Sequence, residues 1–188
     1  MRRFMIKVAF IGTHGVGKTT LCFDLGAGLK KRGLHVDLVK EVARLSPLPI
    51  NRKTSLEAQM WILTTQIAEE IRSAAHHRVV VCDRSVIDNY AYMKFACGRQ
   101  PAIERFVRWW MKSYDLLFKV PYAAGPASED GVRDTDEFFV RSIDQLVTDL
   151  LAEKKIRHEI LPVGQRPRWV EIVRDVVLGS ADIAQKTI

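Results

Sequence analysis

Three things are scarce in this sequence: cysteine, long apolar runs, and blocks of one charge. Cys22, Cys82 and Cys97 are the only cysteines in 188 residues, and no CxxC pair occurs. That spacing argues against a disulfide framework and against a thiolate zinc site. Cys22 and Cys82 fall inside apolar periodic segments and are expected as buried small hydrophobes. No stretch approaches the roughly 20 apolar residues that a membrane span needs, so no membrane contact is expected. Met1-Arg2-Arg3-Phe4 runs straight into a strand-like segment. It lacks the apolar region and small-residue cleavage site of a signal peptide, so the expected location is the cytoplasm. Internal repeats and low-complexity tails are absent too.

What is present fits one packed domain. A length of 188 residues allows a substantial core but not two comfortable ones, so a single domain over residues 1–188 is expected. The formal net charge is +7, which raises the question of a polyanionic partner. The basic residues, however, are spread over Lys30–Arg32, His76–Arg78, Arg105–Lys112, Lys154–His158 and Arg166–Arg174. Many lie at the ends of helical patterns, where cations complement the helix dipole. No nucleic-acid-binding motif accompanies them. The charge is therefore read as serving phosphate ligands and helix ends.

Five short apolar runs predict buried parallel strands: Met5–Ile11, Val36–Val39, Val79–Cys82, Leu116–Val120 and His158–Leu161. Helical patterns lie between them. Lys18–Lys31 stops near Gly33. Thr54–Ala75 opens on a Thr54-x-x-Glu57 capping box and carries Leu56, Met60, Leu63, Ile67 and Ile71 on one face. Val86–Ala96 is a third helix, and Pro101 opens a fourth. Asp134-x-x-Glu137 caps a fifth, whose inner face is Phe139, Ile143, Leu146 and Leu150. Pro167 opens a sixth. This alternation predicts a three-layer α/β/α fold around a mostly parallel sheet. The segments Ser46–Pro49 and Tyr122–Arg133 break the pattern and read as functional loops.

The most specific signal is Gly12-Thr13-His14-Gly15-Val16-Gly17-Lys18-Thr19. It matches GxxxxGK[ST], between an apolar strand and a helix. Glycines at 12, 15 and 17 let the backbone turn its N–H groups inward around a phosphate, and the positive end of the following helix adds attraction. Lys18 reaches the β- and γ-phosphates, and the Thr19 hydroxyl suits a magnesium ion. Thr20 completes the nucleotide-binding set. His14 contributes backbone. A second signal is Val79-Val80-Val81-Cys82-Asp83-Arg84-Ser85, an apolar strand that ends in an acid. A carboxylate there holds magnesium in phosphate-loop proteins, which makes Asp83 the second metal candidate. Arg84 follows at the strand end, where α/β folds place ligands, and its planar guanidinium suits phosphate.

These residues resemble the nucleoside and nucleotide kinase branch of P-loop proteins. That branch includes deoxynucleoside kinases, thymidylate kinase and ribosylnicotinamide-kinase-like ATPases. Glu41-Val42-Ala43-Arg44, Gln66 with Glu69 and Glu70, and Asp130-Gly131-Val132-Arg133 look more particularly like the set called AAA-type or NadR-like ATPases. The resemblance covers nearly the whole chain and implies a five-stranded parallel sheet of order 2-3-1-4-5. It implies ATP with Mg2+, and a lid at about residues 121–136. It also implies roles. Glu41 faces an acceptor hydroxyl, and Arg44 holds an acceptor phosphate. Gln59 or Gln66 bonds an acceptor base. Arg133 and Arg141 close from the lid. Arg166, within Gly164–Arg168, lies against the adenine. Two departures stand out: Val42 replaces the proline that usually follows the β2 acid of deoxynucleoside kinases, and Tyr122–Arg133 carries a single clear arginine.

The expected activity is phosphoryl transfer from ATP to a small acceptor, most readily a nucleoside or nucleotide. Two alternatives remain open. One is a nucleotide switch acting through a protein partner, although the Asn-Lys-x-Asp motif of guanine-specific switches is missing. The other is a kinase of nucleic-acid 5′ ends, ranked last because no aromatic-interleaved basic groove is visible in the sequence. Homodimer formation is left open.

Overall fold

The structure is a computed structural model that describes residues 5–50, 54–122 and 136–185. Five strands, β1 (Ile6–Ile11), β2 (Val36–Val39), β3 (Val79–Asp83), β4 (Leu116–Lys119) and β5 (Glu159–Ile160), form one sheet of order β2-β3-β1-β4-β5. Every neighbouring pair is parallel, with Phe10 opposite Asp83 and Ile11 opposite Lys119. Six helices connect and flank the strands: α1 (Lys18–Lys31), α2 (Leu56–His76), α3 (Val86–Cys97), α4 (Pro101–Trp110), α5 (Glu137–Glu153) and α6 (Trp169–Gln185). The strand order and layering match the expectation.

All six residues of β1 are buried, because helices cover both faces of the sheet. Side chains alternate between the faces. Ala9 and Ile11 join Val80 and Cys82 in the layer packed by α2, α3 and α5. Ile6, Val8 and Phe10 join Val79 and Val81 in the layer packed by α1 and α6. Cys22 and Cys82 are buried as expected, and burial pushes both thiols up.

Several local expectations are corrected. Ser55, not Thr54, caps α2, accepting from the Ala58 amide at 3.3 Å. The buried face of α2 is also rotated from the apolar pattern. Leu56 and Ile71 are exposed, while Gln59, Gln66, Glu70 and Ser73 are buried. Polar partners inside the fold hold that face, so hydrophobicity alone misplaces it. Asp136 accepts from Phe138 N at 2.8 Å and caps α5; the expected cap Asp134 lies outside the described residues. Pro167 sits in a short 3-10 turn, and α6 begins at Trp169. The last strand is shorter than the predicted run, and its two residues are exposed at the sheet edge.

Candidate active site

The site lies beyond the carboxyl ends of β1, β2 and β3. Gly12, Gly15 and Gly17 all have positive φ, at 132°, 78° and 96°. At Gly12 the requirement is twofold, since a Cβ there would also lie 2.8 Å from the Val120 carbonyl oxygen. Gly17 caps α1 without any side-chain bond, so the first amides of the helix stay open to a ligand. Lys18 is buried, and its ammonium donates to the carbonyls of Gly12 at 2.9 Å and Thr13 at 2.5 Å. Burial, aided by repulsion from Arg84, lowers its pKa to about 8, against the pull of Asp83, Asp88 and Glu41.

Asp88 was not anticipated from the sequence. One of its carboxylate oxygens accepts from Gly12 N at 2.7 Å, the other from the Ser85 amide and hydroxyl at 2.8 and 2.9 Å. Ser85 and Asp88 thus form a capping box at the start of α3 that also pins the phosphate loop. The Ser85-x-x-Asp88 spacing was a readable signal for the cap. Its reach to Gly12 was not.

Thr19 donates to the Asp83 carboxylate at 2.5 Å. A hard cation prefers such oxygen donors and, when magnesium, keeps waters and phosphate oxygens as its other ligands. The pair fits that ion. Arg84 is buried with φ of 91°, a conformation that costs a non-glycine residue about 1–3 kcal/mol. Its Nε donates to Glu41 at 2.8 Å, and its guanidinium lies 5.0 Å from the Tyr92 ring centre. Arg44 donates to the other Glu41 oxygen at 3.0 Å. Burial would raise the Glu41 carboxyl, but the charges of Arg84 and Lys18 and the two arginine hydrogen bonds prevail and hold it at about 2.

Two cavities adjoin here. A polar cleft of about 140 Å³ is lined by His14, Gly15, Gly17, Lys18, Thr19, Thr20, Glu41, Asp83, Arg84 and Arg166. A narrower cavity runs deeper between Ala43, Ile50, Gln59, Ile62, Asn89 and Tyr92, and shares His14, Glu41 and Arg84 with the cleft. Three buried polar atoms of its lining have no hydrogen-bond partner: Gln59 Oε1, Asn89 Nδ2 and Arg84 Nη1. Nearby Thr13 Oγ1 is in the same condition. An orphaned buried polar group costs about 1–3 kcal/mol, and a ligand that satisfied it would recover that cost.

Comparison with known proteins agrees with this geometry. The AAA_28 family, described as "AAA domain", matches residues 7–168. The chain belongs to this family. It is similar to a thymidylate kinase of Pseudomonas putida (strain W619), at 26% identity over 89% of this chain and 93% of the relative. Among solved structures it resembles NadR protein in complex with NR, with a TM-score of 0.70, 21% identity and 87% of this chain covered. It also resembles NadR protein in complex with NAD and AMP-PNP, with a TM-score of 0.71, 19% identity and 92% of this chain covered. The chain spans about half of those NadR chains, 47% and 49% respectively. It is a P-loop enzyme of the kinase or ATPase type.

Within this P-loop fold the other anticipated residues separate. Val16 is buried beneath the loop in the α1–α6 layer, and Arg166 lines the phosphate cleft, its guanidinium 3.0 Å from where a Cβ on Gly17 would lie. Arg44 and Gln59 line the deeper cavity, but Gln66 does not. Instead the Gln66 amide donates to Glu70 at 2.9 Å and to the Arg84 carbonyl at 3.4 Å. Glu70 in turn accepts from Lys7 at 2.9 Å, Trp110 at 2.8 Å and Tyr114 at 2.5 Å. Gln66 therefore supports Arg84 from behind. Arg141 pairs with Glu137 on the exposed first turn of α5 and lies 5.6 Å from the Tyr122 ring, lining neither cavity. Arg133 and most of the expected lid lie outside the described residues. Trp109 and Trp110 line neither cavity.

Proposed function

We propose that this enzyme transfers the γ-phosphoryl group of ATP, with Mg2+, to a hydroxyl of a nucleoside-like acceptor. One observation carries the reading: the phosphate cleft and the deeper cavity share His14, Glu41 and Arg84. A phosphate held by the loop and a molecule in the cavity therefore meet at Glu41 and Arg84. The deeper lining offers an amide oxygen from Gln59 and an amide NH2 from Asn89, both unpaired. Together they complement the N–H and C=O edge that nucleobases and carboxamides share.

Phosphoryl transfer asks mainly for in-line positioning and charge compensation. The open amides of the loop and Lys18 hold the β- and γ-phosphates. Arg84 keeps one arm on Glu41 and has Nη1 free for a phosphoryl oxygen. Glu41 accepts a hydrogen bond from the acceptor hydroxyl. With a pKa of about 2 it orients that hydroxyl better than it deprotonates it. Thr19 and Asp83 would hold the magnesium ion, which when bound neutralises phosphate charge. The acceptor oxygen bonds to the γ-phosphorus as the bond to the β–γ bridging oxygen breaks, leaving ADP; the hydroxyl proton, strongly acidic once the new O–P bond forms, leaves through Glu41 to solvent. Arg133, Arg141 and the lid at about 121–136 are assigned to closure over the transferring group, and Arg166 to the nucleotide.

The test is ATP consumption with magnesium for the wild type and Lys18→Ala, against a panel of nucleosides, mononucleotides and nicotinamide riboside. Many-fold stimulation by one acceptor, in the wild type only, supports the reading and names the acceptor. Slow turnover indifferent to every acceptor, with ATP still bound, rejects it in favour of a nucleotide switch.

A further inference from the structure

The kinase site uses little of the chain's positive charge, and two of the five basic clusters converge far from it. Arg108 and Lys112 from α4 and the turn after it, and Lys154, Lys155, Arg157 and His158 from the α5–β5 connection, line one groove of about 660 Å³. Leu116 and Glu159, the first residues of β4 and β5, form part of its wall. All strands are parallel, so this groove lies at the amino end of the sheet, opposite the phosphate loop. A neighbouring hollow continues it along α4 through Arg105 and Arg99.

The charges there are largely uncompensated. Lys154 pairs with Glu104 and Glu153, and Arg99 with Glu104. Arg105, Arg108, Lys112, Lys155 and Arg157 are exposed and have no ion pair among the described residues. Among the described residues the acids on the groove wall are Asp115 and Glu159, and Glu104 lines the adjoining hollow. Burial pushes the Asp115 carboxyl up, and the carboxyl also accepts from Lys7 N at 2.7 Å.

Two exposed aromatic rings stand on α4 beside the groove, although neither lines its wall or that of the adjoining hollow. Trp109 is 60% exposed and Phe106 41%, with ring centres 5.9 Å apart. Trp109 stands one helical turn after Arg105 and one turn before Lys112, so the indole is flanked by cations along the helix. Both rings also pack on Trp110, with centres 6.5 Å (Phe106) and 5.8 Å (Trp109) away, and keep part of their surface open to solvent. Trp110, by contrast, turns inward to Glu70.

We infer that the groove between α4 and the α5–β5 connection binds single-stranded nucleic acid, with phosphates on Arg105, Arg108, Lys112, Lys155 and Arg157 and a base stacked on Trp109. Free cations beside an exposed aromatic platform are the combination such strands require, since stacking accepts every base. An acidic peptide has no use for the ring. An anionic membrane would favour a flat or convex face over a groove. Residues about 50 positions apart line this basic groove, with Trp109 beside it on α4. The inference is independent of the kinase reading.

The test is fluorescence anisotropy of labelled oligothymidylate and oligouridylate with the full chain, across about 50 to 200 mM salt. With four or five phosphate contacts, log K should fall against log salt with a slope of about −3. Arg108→Gln with Lys112→Gln should flatten that slope by about 1.4. Trp109→Ala should weaken binding roughly tenfold and leave the slope unchanged. Lys18→Ala should bind as the wild type does. No binding, an unchanged slope in the double variant, or no effect of Trp109→Ala overturns the inference. So does loss of binding in Lys18→Ala, which would put the strand in the phosphate cleft, or tighter binding to polyglutamate or anionic vesicles. If the double variant misfolds, Lys155→Gln with Arg157→Gln, on the opposite wall, gives the same slope test.

Discussion

The phosphate cleft and the acceptor cavity touch at Glu41 and Arg84, yet they are built in different ways. The cleft is made of backbone: positive-φ glycines, open helix amides and one lysine, contiguous in sequence and pinned by Asp88. The cavity is made of side chains from α2, α3 and the loop after β2, and keeps polar atoms unpaired. A backbone cradle recognises what every nucleoside triphosphate shares. On the proposed kinase reading the side-chain cavity selects the acceptor, and its orphaned polar atoms are the groups that would do so.

The largest effect expected is on the cleft. Lys18→Ala should lower phosphoryl transfer by about 10³-fold, with acceptor binding unchanged in calorimetry. Equal loss of acceptor binding would mean that the two regions are not separable. Glu41→Gln should lower kcat by about 10²-fold with little change in the KM for ATP. If Glu41 orients rather than deprotonates, the kcat profile should show no acidic limb between about pH 5 and 7. Gln59→Leu should raise acceptor KM by about tenfold or more while leaving the KM for ATP alone. The same variant should change thermal stability little without acceptor, since removing an orphaned buried oxygen offsets the lost amide bond to Thr54 at 2.9 Å. A fall in stability with an unchanged acceptor KM would make Gln59 structural.

The smallest effect separates the regions by pH. Lys18 in the folded protein titrates at about 8, so ATP affinity should fall above pH 8, by up to about tenfold per unit. Stability should move the other way. The unfolded chain holds that proton up to its ordinary value of 10.5, so between pH 8 and 10.5 the unfolded state binds more protons and stability rises. Lys18→Arg, charged throughout, should flatten both trends in nucleotide titrations and thermal melts.

Much of the fold was readable because its signals are local. Apolar runs of four to six residues separated by helical periods specify a parallel sheet buried on both faces. α2 was misphased because its buried face carries Gln59, Gln66 and Glu70: Glu70 takes its partners Lys7, Trp110 and Tyr114 from distant segments, while Gln59 and Gln66 bond nearby, to Thr54 and to Glu70 itself. The cleft was readable because a phosphate loop needs glycines at fixed intervals. Asp88 was not, because its bond to Gly12 spans 76 positions. Gln59 was readable only as one of two candidates: both glutamines lie on the buried face of α2, two turns apart, and their position along the helix puts Gln59 at the cavity and Gln66 beside Glu70 and the Arg84 carbonyl.

The sequence alone determined the strand–helix alternation, the phosphate cradle, and the strand-end acid beside it, because each depends on neighbours a few residues apart. Only the tertiary structure decided that Glu41 pairs with Arg84, that Asn89 faces Gln59 across a cavity, and that two basic clusters share one groove. Those contacts join chain segments tens of residues apart, and packing the helices on the sheet sets their distances.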